Sequence, residues 1–137
     1  FPERIVGFVE GLDKTKVQES YFKGVINKRR AWVKSYSNVY ESGRGRTSKK
    51  KYIIDPYYYK GLCASKYGLS PVNECPWSYR FFESIMCKAI PVLGKNEIDL
   101  NSNKYFYLRD GSELFYDEKE AHRNYELFLK NNTLRFK

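Results

Sequence analysis

Residues that bind metals are scarce in this sequence: 137 residues carry one histidine and three cysteines. Cys63, Cys75 and Cys87 form no Cys-x-x-Cys pair. An odd number without that spacing argues against a disulfide framework, and the lack of histidine companions argues against zinc. Thiols buried in a reducing compartment, the cytoplasm, are the expectation. No apolar run approaches the ~20 residues that cross a bilayer, and no signal-peptide pattern is present. Internal repeats and Gly/Ser linkers are also missing, so 1–137 reads as a single domain with a core of its own. The chain starts at Phe1 without a methionine, which suits a fragment of a larger protein.

Acidic residues are the other shortage. Sixteen Asp and Glu stand against twenty-five Lys and Arg, a formal charge of +9. Such an excess favours an anionic partner: a nucleotide diphosphate, a nucleic acid or an acidic membrane face that the chain would touch peripherally. Aromatics are plentiful, with thirteen tyrosines among them. They supply large apolar area with polar ring edges, which excludes global disorder.

The most informative stretch is 67–93, YGLSPVNECPWSYRFFESIMCKAIPVL. It reads as strand, loop, helix, strand, with short apolar runs at 67–72 and 90–93 of the length of buried parallel strands. Between them Phe81, Phe82, Ile85, Met86 and Ala89 form a broad apolar helix stripe. Pro76 and Ser78 are helix-start signals. Arg80 and Glu83 follow three residues apart on one side. In an open parallel sheet, the start of the helix after a strand favours an anion, and Arg80 adds a planar five-donor charge there. A diphosphate fits Arg80, and Glu83 is read as accepting two ribose hydroxyls.

Elsewhere 4–9 reads as a strand, 21–24 as a second strand, and 28–36 as a helix capped by Asn27. Lys28, Arg29 and Arg30 crowd its start, where cations are unfavourable unless an anion is bound; Arg29 and Arg30 are therefore candidate phosphate contacts. Residues 42–51, SGRGRTSKKK, read as an exposed basic loop. Asp55-Pro56 opens a helix to Ser65, and Tyr57, Tyr58 and Tyr59 cannot all face the core; one could stack on a nucleobase. After a polar loop, 105–109 reads as a strand, Asp110-Gly111 as a turn and 117–129 as the last helix. His122 lies off its apolar stripe and reads as a surface residue.

The string SKYGLSPVNECPWSYRFFESIMCKAIPVL resembles the nucleotide-sugar-binding motif of exostosin-like glycosyltransferases: strand, proline, loop, a Ser-x-Arg-x-x-Glu helix start and a closing Ile-Pro-Val strand. Ser65, Lys66, Leu69, Pro71, Trp77, Ser78, Arg80, Phe82, Glu83, Ile90, Pro91 and Val92 match that pattern. YFKGVINKRRAW is similar to the family's earlier strand, glycine and basic helix start. Two departures stand out. Val72 or Asn73 replaces a loop glycine, and Lys88 replaces the glycine before Ile-Pro-Val, which suggests a different turn after the helix.

The resemblance implies a Rossmann-like three-layer α/β/α sandwich with a mainly parallel sheet, the C-terminal, donor-binding half of a two-domain GT-B architecture. The partners it implies are a nucleotide-sugar donor, a saccharide acceptor and a missing N-terminal acceptor domain carrying the general base, with no nucleic acid. Its donor-binding set would be Arg29, Arg30, Pro71, Asn73, Trp77, Ser78, Tyr79, Arg80 and Glu83, with Arg80 stabilising the leaving group. There is no Asp-x-Asp motif, so the expected transfer is metal-independent, with positive side chains in the metal's place. A fucosyltransferase-like enzyme with a GDP-sugar is the nearest alternative; Glu83 favours the exostosin-like reading. From other classes come a basic nucleic-acid-binding module resting on 42–51 and an inactive relative that keeps the fold.

Overall fold

The computed structural model describes residues 3–41, 55–71, 79–97 and 104–131. Its elements run α1 (Glu3–Glu10), β1 (Gln18–Gly24), a 3-10 helix (Lys28–Ser35), β2 (Val39–Glu41), α2 (Pro56–Cys63), β3 (Ser65–Leu69), α3 (Tyr79–Met86), β4 (Ile90–Leu93), β5 (Leu108–Arg109) and α4 (Glu118–Asn131). The strands form one sheet in the order β2-β1-β3-β4-β5. Every pairing is parallel, with Ser20 opposite Tyr67 and Tyr67 opposite Ile90. This is a doubly wound order that reverses between β1 and β3, and ligands of such sheets bind outside the carboxyl ends of the strands at that reversal.

Alternation along the strands divides the core. Tyr21 and Leu93 join Val6, Val9, Tyr59, Leu62, Phe81, Ile85, Met86 and Phe128 on the face covered by α1, α2 and α3. Phe22, Tyr67, Leu69, Ile90 and Val92 face the other way, onto Val33 of the 3-10 helix, Ala121 of α4 and the aromatic segment before α4. The result is a small α/β domain consistent with a three-layer sandwich. Gly68 lets α3 lie close on β3, since a Cβ there would collide with the Ser84 side chain.

The strands expected at 67–72 and 90–93 are present, the first as Ser65–Leu69, and the stretch between them carries α3. Three expectations are corrected. Residues 4–9 are not a strand but part of α1: Val6 and Val9, three apart, are sealed in the core while Gly7 faces open space, a helical rather than alternating pattern. The segment 28–36 is a 3-10 helix, capped by Asn27, whose side chain accepts from Arg30 N. Its three-residue turn puts Arg30 and Val33, both buried, on one face. Only Leu108–Arg109 of 105–109 pairs as a strand, because the fully buried Asn124 side chain takes the Phe106 backbone instead, at 2.8 Å to both its N–H and its carbonyl. β2 was not foreseen from the sequence.

Candidate functional site

Three side chains from different elements define the carboxyl rim beside the strand-order reversal. Arg80, in the first described turn of α3, crosses to β1, where Nη2 donates to the Lys23 carbonyl at 3.2 Å and the guanidinium lies 4.9 Å over the Phe22 ring. Gly24 is what admits it: a Cβ at that position would collide with Arg80 Nη2. The sequence pattern of a strand ending in glycine thus has a local cause, close approach of an arginine to the backbone.

Arg30 comes from the 3-10 helix that follows β1. It is only 7% exposed, its Nη1 donates to the Val25 carbonyl at 3.0 Å, and its buried Nε has no hydrogen-bond partner. Burial and then the charge of Arg80 push Arg30 below the usual arginine range, with Glu97 pulling the other way. Two guanidiniums therefore sense each other at the end of β1, Arg30 bonded to the Val25 carbonyl and Arg80 to the Lys23 carbonyl. Glu97 is anchored separately: its carboxylate accepts from the Gly94 N–H at 2.7 Å beyond β4, and its carbonyl accepts from Arg109 Nη1 at 2.6 Å. Nearby Lys23 is neutralised by Asp55 at 2.8 Å, and Asp55 also caps α2 through the N–H groups of Tyr57 and Tyr58.

Glu83 lies one turn deeper on α3. It is fully buried, and its two carboxylate oxygens receive the hydroxyls of Tyr58 at 2.8 Å and Tyr59 at 2.9 Å. The sequence reading gave these oxygens to ribose hydroxyls; here tyrosine hydroxyls occupy the same acceptors. Burial, then Glu83, holds Tyr58 well above the ordinary tyrosine range. Tyr57, by contrast, is 75% exposed, so the three successive tyrosines split as their helix demands.

The other expected site residues fall into two groups. Arg29 is exposed on the outer side of the 3-10 helix, Pro71 is buried just beyond β3, and Tyr79 is half exposed at the start of α3. Asn73, Trp77 and Ser78 lie outside the described residues, as do 42–51 and Cys75. The structure thus brings Arg30 and Arg80 together and sends Arg29 outward, a choice the sequence left open. Sequence reasoning missed Tyr58 and Tyr59 as the partners of Glu83; the available signal was a buried-helix carboxylate that requires donors.

Lys88, where the resemblance led us to expect a glycine and a different turn, takes the left-handed conformation at φ 58°. It closes α3 with the paired bonds of a Schellman cap, Ala89 N to Ser84 O at 2.9 Å and Lys88 N to Ile85 O at 3.0 Å. The turn keeps the form a glycine would give it.

An open cleft of about 710 Å³ runs along α4, lined by His122, Arg123, Glu126 and neighbours. Within the helix His122 pairs with Glu126 at 2.9 Å and Arg123 with Glu120 at 3.1 Å, and Lys119 and Lys130 also line the cleft. His122 is a surface residue, as read from the sequence. The arginine rim, with two neighbouring guanidiniums at a switch point, is the better candidate. Among the described residues, no group of three or more His, Cys, Asp or Glu is placed to hold a metal ion, and no helix is long and apolar enough to cross a membrane. Neither a family model nor a curated protein matches this sequence.

Proposed function

We propose that this domain binds the diphosphate of a nucleotide-sugar donor on Arg30 and Arg80 and serves as the donor half of an exostosin-like glycosyltransferase. The observation that carries the reading is the pair of neighbouring guanidiniums, one of them buried with an unbonded Nε, at the carboxyl end of β1 where the strand order reverses. A diphosphate brings negative charge to two guanidiniums that repel each other and an acceptor oxygen to the unbonded Arg30 Nε. In the transferase reading the two arginines stabilise charge that grows on the diphosphate as the bond to the sugar breaks, so transfer proceeds without a metal. The sugar goes to a saccharide hydroxyl, and the base that takes its proton belongs to an acceptor domain outside this chain. Glu83, pinned by Tyr58 and Tyr59, fixes α3 and with it the origin of Arg80. Exposed Tyr57 follows Asp55, the partner of Lys23, and is the tyrosine open to a nucleobase.

Calorimetric titration with UDP, GDP and a short single-stranded oligonucleotide, in EDTA and at two salt concentrations, tests this. Saturable binding of one diphosphate, lost in Arg30→Met and Arg80→Ala, is the expected result. Binding of the oligonucleotide alone, falling steeply with salt, would overturn it in favour of a nucleic-acid module.

A further inference from the structure

At the opposite, amino end of the sheet, α2 and α3 finish side by side, each with a cysteine. Cys63 is the last residue of α2 and Cys87 follows α3; both are fully buried free thiols that interact with each other. Two independent contacts fix their closeness. Lys16 Nζ donates to the backbone carbonyls of both residues at 2.8 Å, so the two oxygens lie within roughly twice that bond length of one another. Cys87 Sγ reaches the Tyr59 carbonyl at 3.8 Å, one helical turn before Cys63. Lys16, which touches both cysteine carbonyls, also lines a cavity of about 580 Å³ with Asp13, Lys14, Lys88, Tyr116, Glu118 and His122.

We propose that Cys63 and Cys87 form a reversible disulfide on exposure to a hydroperoxide, with Lys16 as the residue that activates the first thiol. The bond from Cys87 is the chief influence favouring the thiolate of Cys63; burial opposes it, and the charges of Lys14 and Lys16 add to it. Burial holds the Cys87 thiol up, which suits the second, resolving role. In the first step the Cys63 thiolate attacks one peroxide oxygen, an S–O bond forms, the O–O bond breaks and the other oxygen leaves, protonated to water or to an alcohol. The Cys87 sulfur then attacks the Cys63 sulfenic acid; the S–S bond forms, the S–O bond breaks, and the Cys87 proton leaves with the oxygen as water. Two thiols are oxidised and one peroxide is reduced. The new bond would clamp the ends of the two helices whose middles already meet through Tyr58, Tyr59 and Glu83.

The experiment uses the whole chain with Cys75→Ser, reduced, treated with hydrogen peroxide, alkylated and digested with trypsin. The expected product joins the peptide GLCASK to FFESIMCK, two hydrogens lighter than the pair, and a dithiol reductant releases it. Lys16→Met, which keeps both cysteines, should slow the linkage several-fold. Two fully alkylated thiols after peroxide, overoxidation of one cysteine without linkage, or linkage only in denaturant would each overturn the proposal. An unchanged rate in Lys16→Met would overturn the role of Lys16.

Discussion

Glu83 and Arg80 are one turn apart on the same helix, yet they belong to different regimes. Glu83 is sealed in the core with a tyrosine hydroxyl on each oxygen. The arginine pair lies at the rim, where Arg80 donates to the Lys23 carbonyl, Arg30 donates to the Val25 carbonyl, and Arg30 Nε is unbonded. A buried polar group whose partners all come from the protein serves the fold, whereas a buried guanidinium with an unbonded donor, as in Arg30, marks a place where a ligand can repay the cost of desolvation. Residue type alone does not separate the two cases.

The most severe way to break the comparison is Glu83→Ala. It strands two buried hydroxyls as well as opening a cavity, and a loss of about 3–5 kcal/mol of stability is expected in urea unfolding. If the loss were small, Tyr58 and Tyr59 would be finding other partners, and the core role given to Glu83 would fail. Arg80→Ala should do the reverse. Folding stability should fall only modestly, while affinity for a nucleoside diphosphate drops by roughly ten- to a hundredfold, as for a charge-assisted hydrogen bond of about 1.5–3 kcal/mol. Unchanged affinity in calorimetry would remove the phosphate assignment.

Lys16 extends the comparison to a cation that is half-buried and held by two carbonyls. Burial lowers its pKa to about 8 from the ordinary 10.5. Below pH 8 the amine is charged in both states and the folded protein bears the full cost of burying that charge. Between pH 8 and about 10 the unfolded chain binds more protons than the folded one, so stability rises with pH, by on the order of 2 kcal/mol. Above pH 10 the slope turns over, because Tyr21 and Tyr36 are raised above the ordinary range by burial and Tyr116 to about 12, and the unfolded chain ionises its tyrosines first. Chemical denaturation of Lys16→Met across pH 7–10 should lack the rise seen in the parent protein. An identical rise in both would locate it elsewhere, and the thiols of Cys63 and Cys87 would be the next groups to replace.

The smallest effect sharpens the reading of the helix end. Lys88→Gly relieves a left-handed residue at the Schellman position and should stabilise the fold by up to about 1 kcal/mol, less whatever the Lys88 ammonium contributes over the Tyr125 ring at 5.0 Å. A destabilised variant, measured by thermal unfolding, would show that the ring contact outweighs the strain.

Much of the central unit was legible in the sequence. The strand-helix-strand run of β3, α3 and β4 follows from two apolar runs flanking a helical stripe. The start of α2 follows from Asp55-Pro56; at the start of α4, read from residue 117, the Asp117 side chain accepts from the N–H groups of Lys119 and Glu120. These are local effects, decided by side chains within a few residues of the backbone they satisfy. What failed was decided at a distance. The apolar residues of α1 fit either period until α2 and α3 provide a surface for Val6 and Val9, and the strand expected from residue 105 is cut short because a side chain of α4 takes its backbone.

The candidate site divides in the same way. The sequence by itself determined that an arginine would stand at the start of a helix after a buried strand, that a glycine would end an earlier strand, and that three basic residues would follow it. Only the tertiary structure decided that Arg80 crosses to Gly24, that Arg30 rather than Arg29 turns inward, and that Glu83 is claimed by Tyr58 and Tyr59. Periodicity and capping act along the chain and can be read from it; which charge is compensated depends on partners as much as 57 residues away in sequence, brought within hydrogen-bond reach only when the sheet assembles.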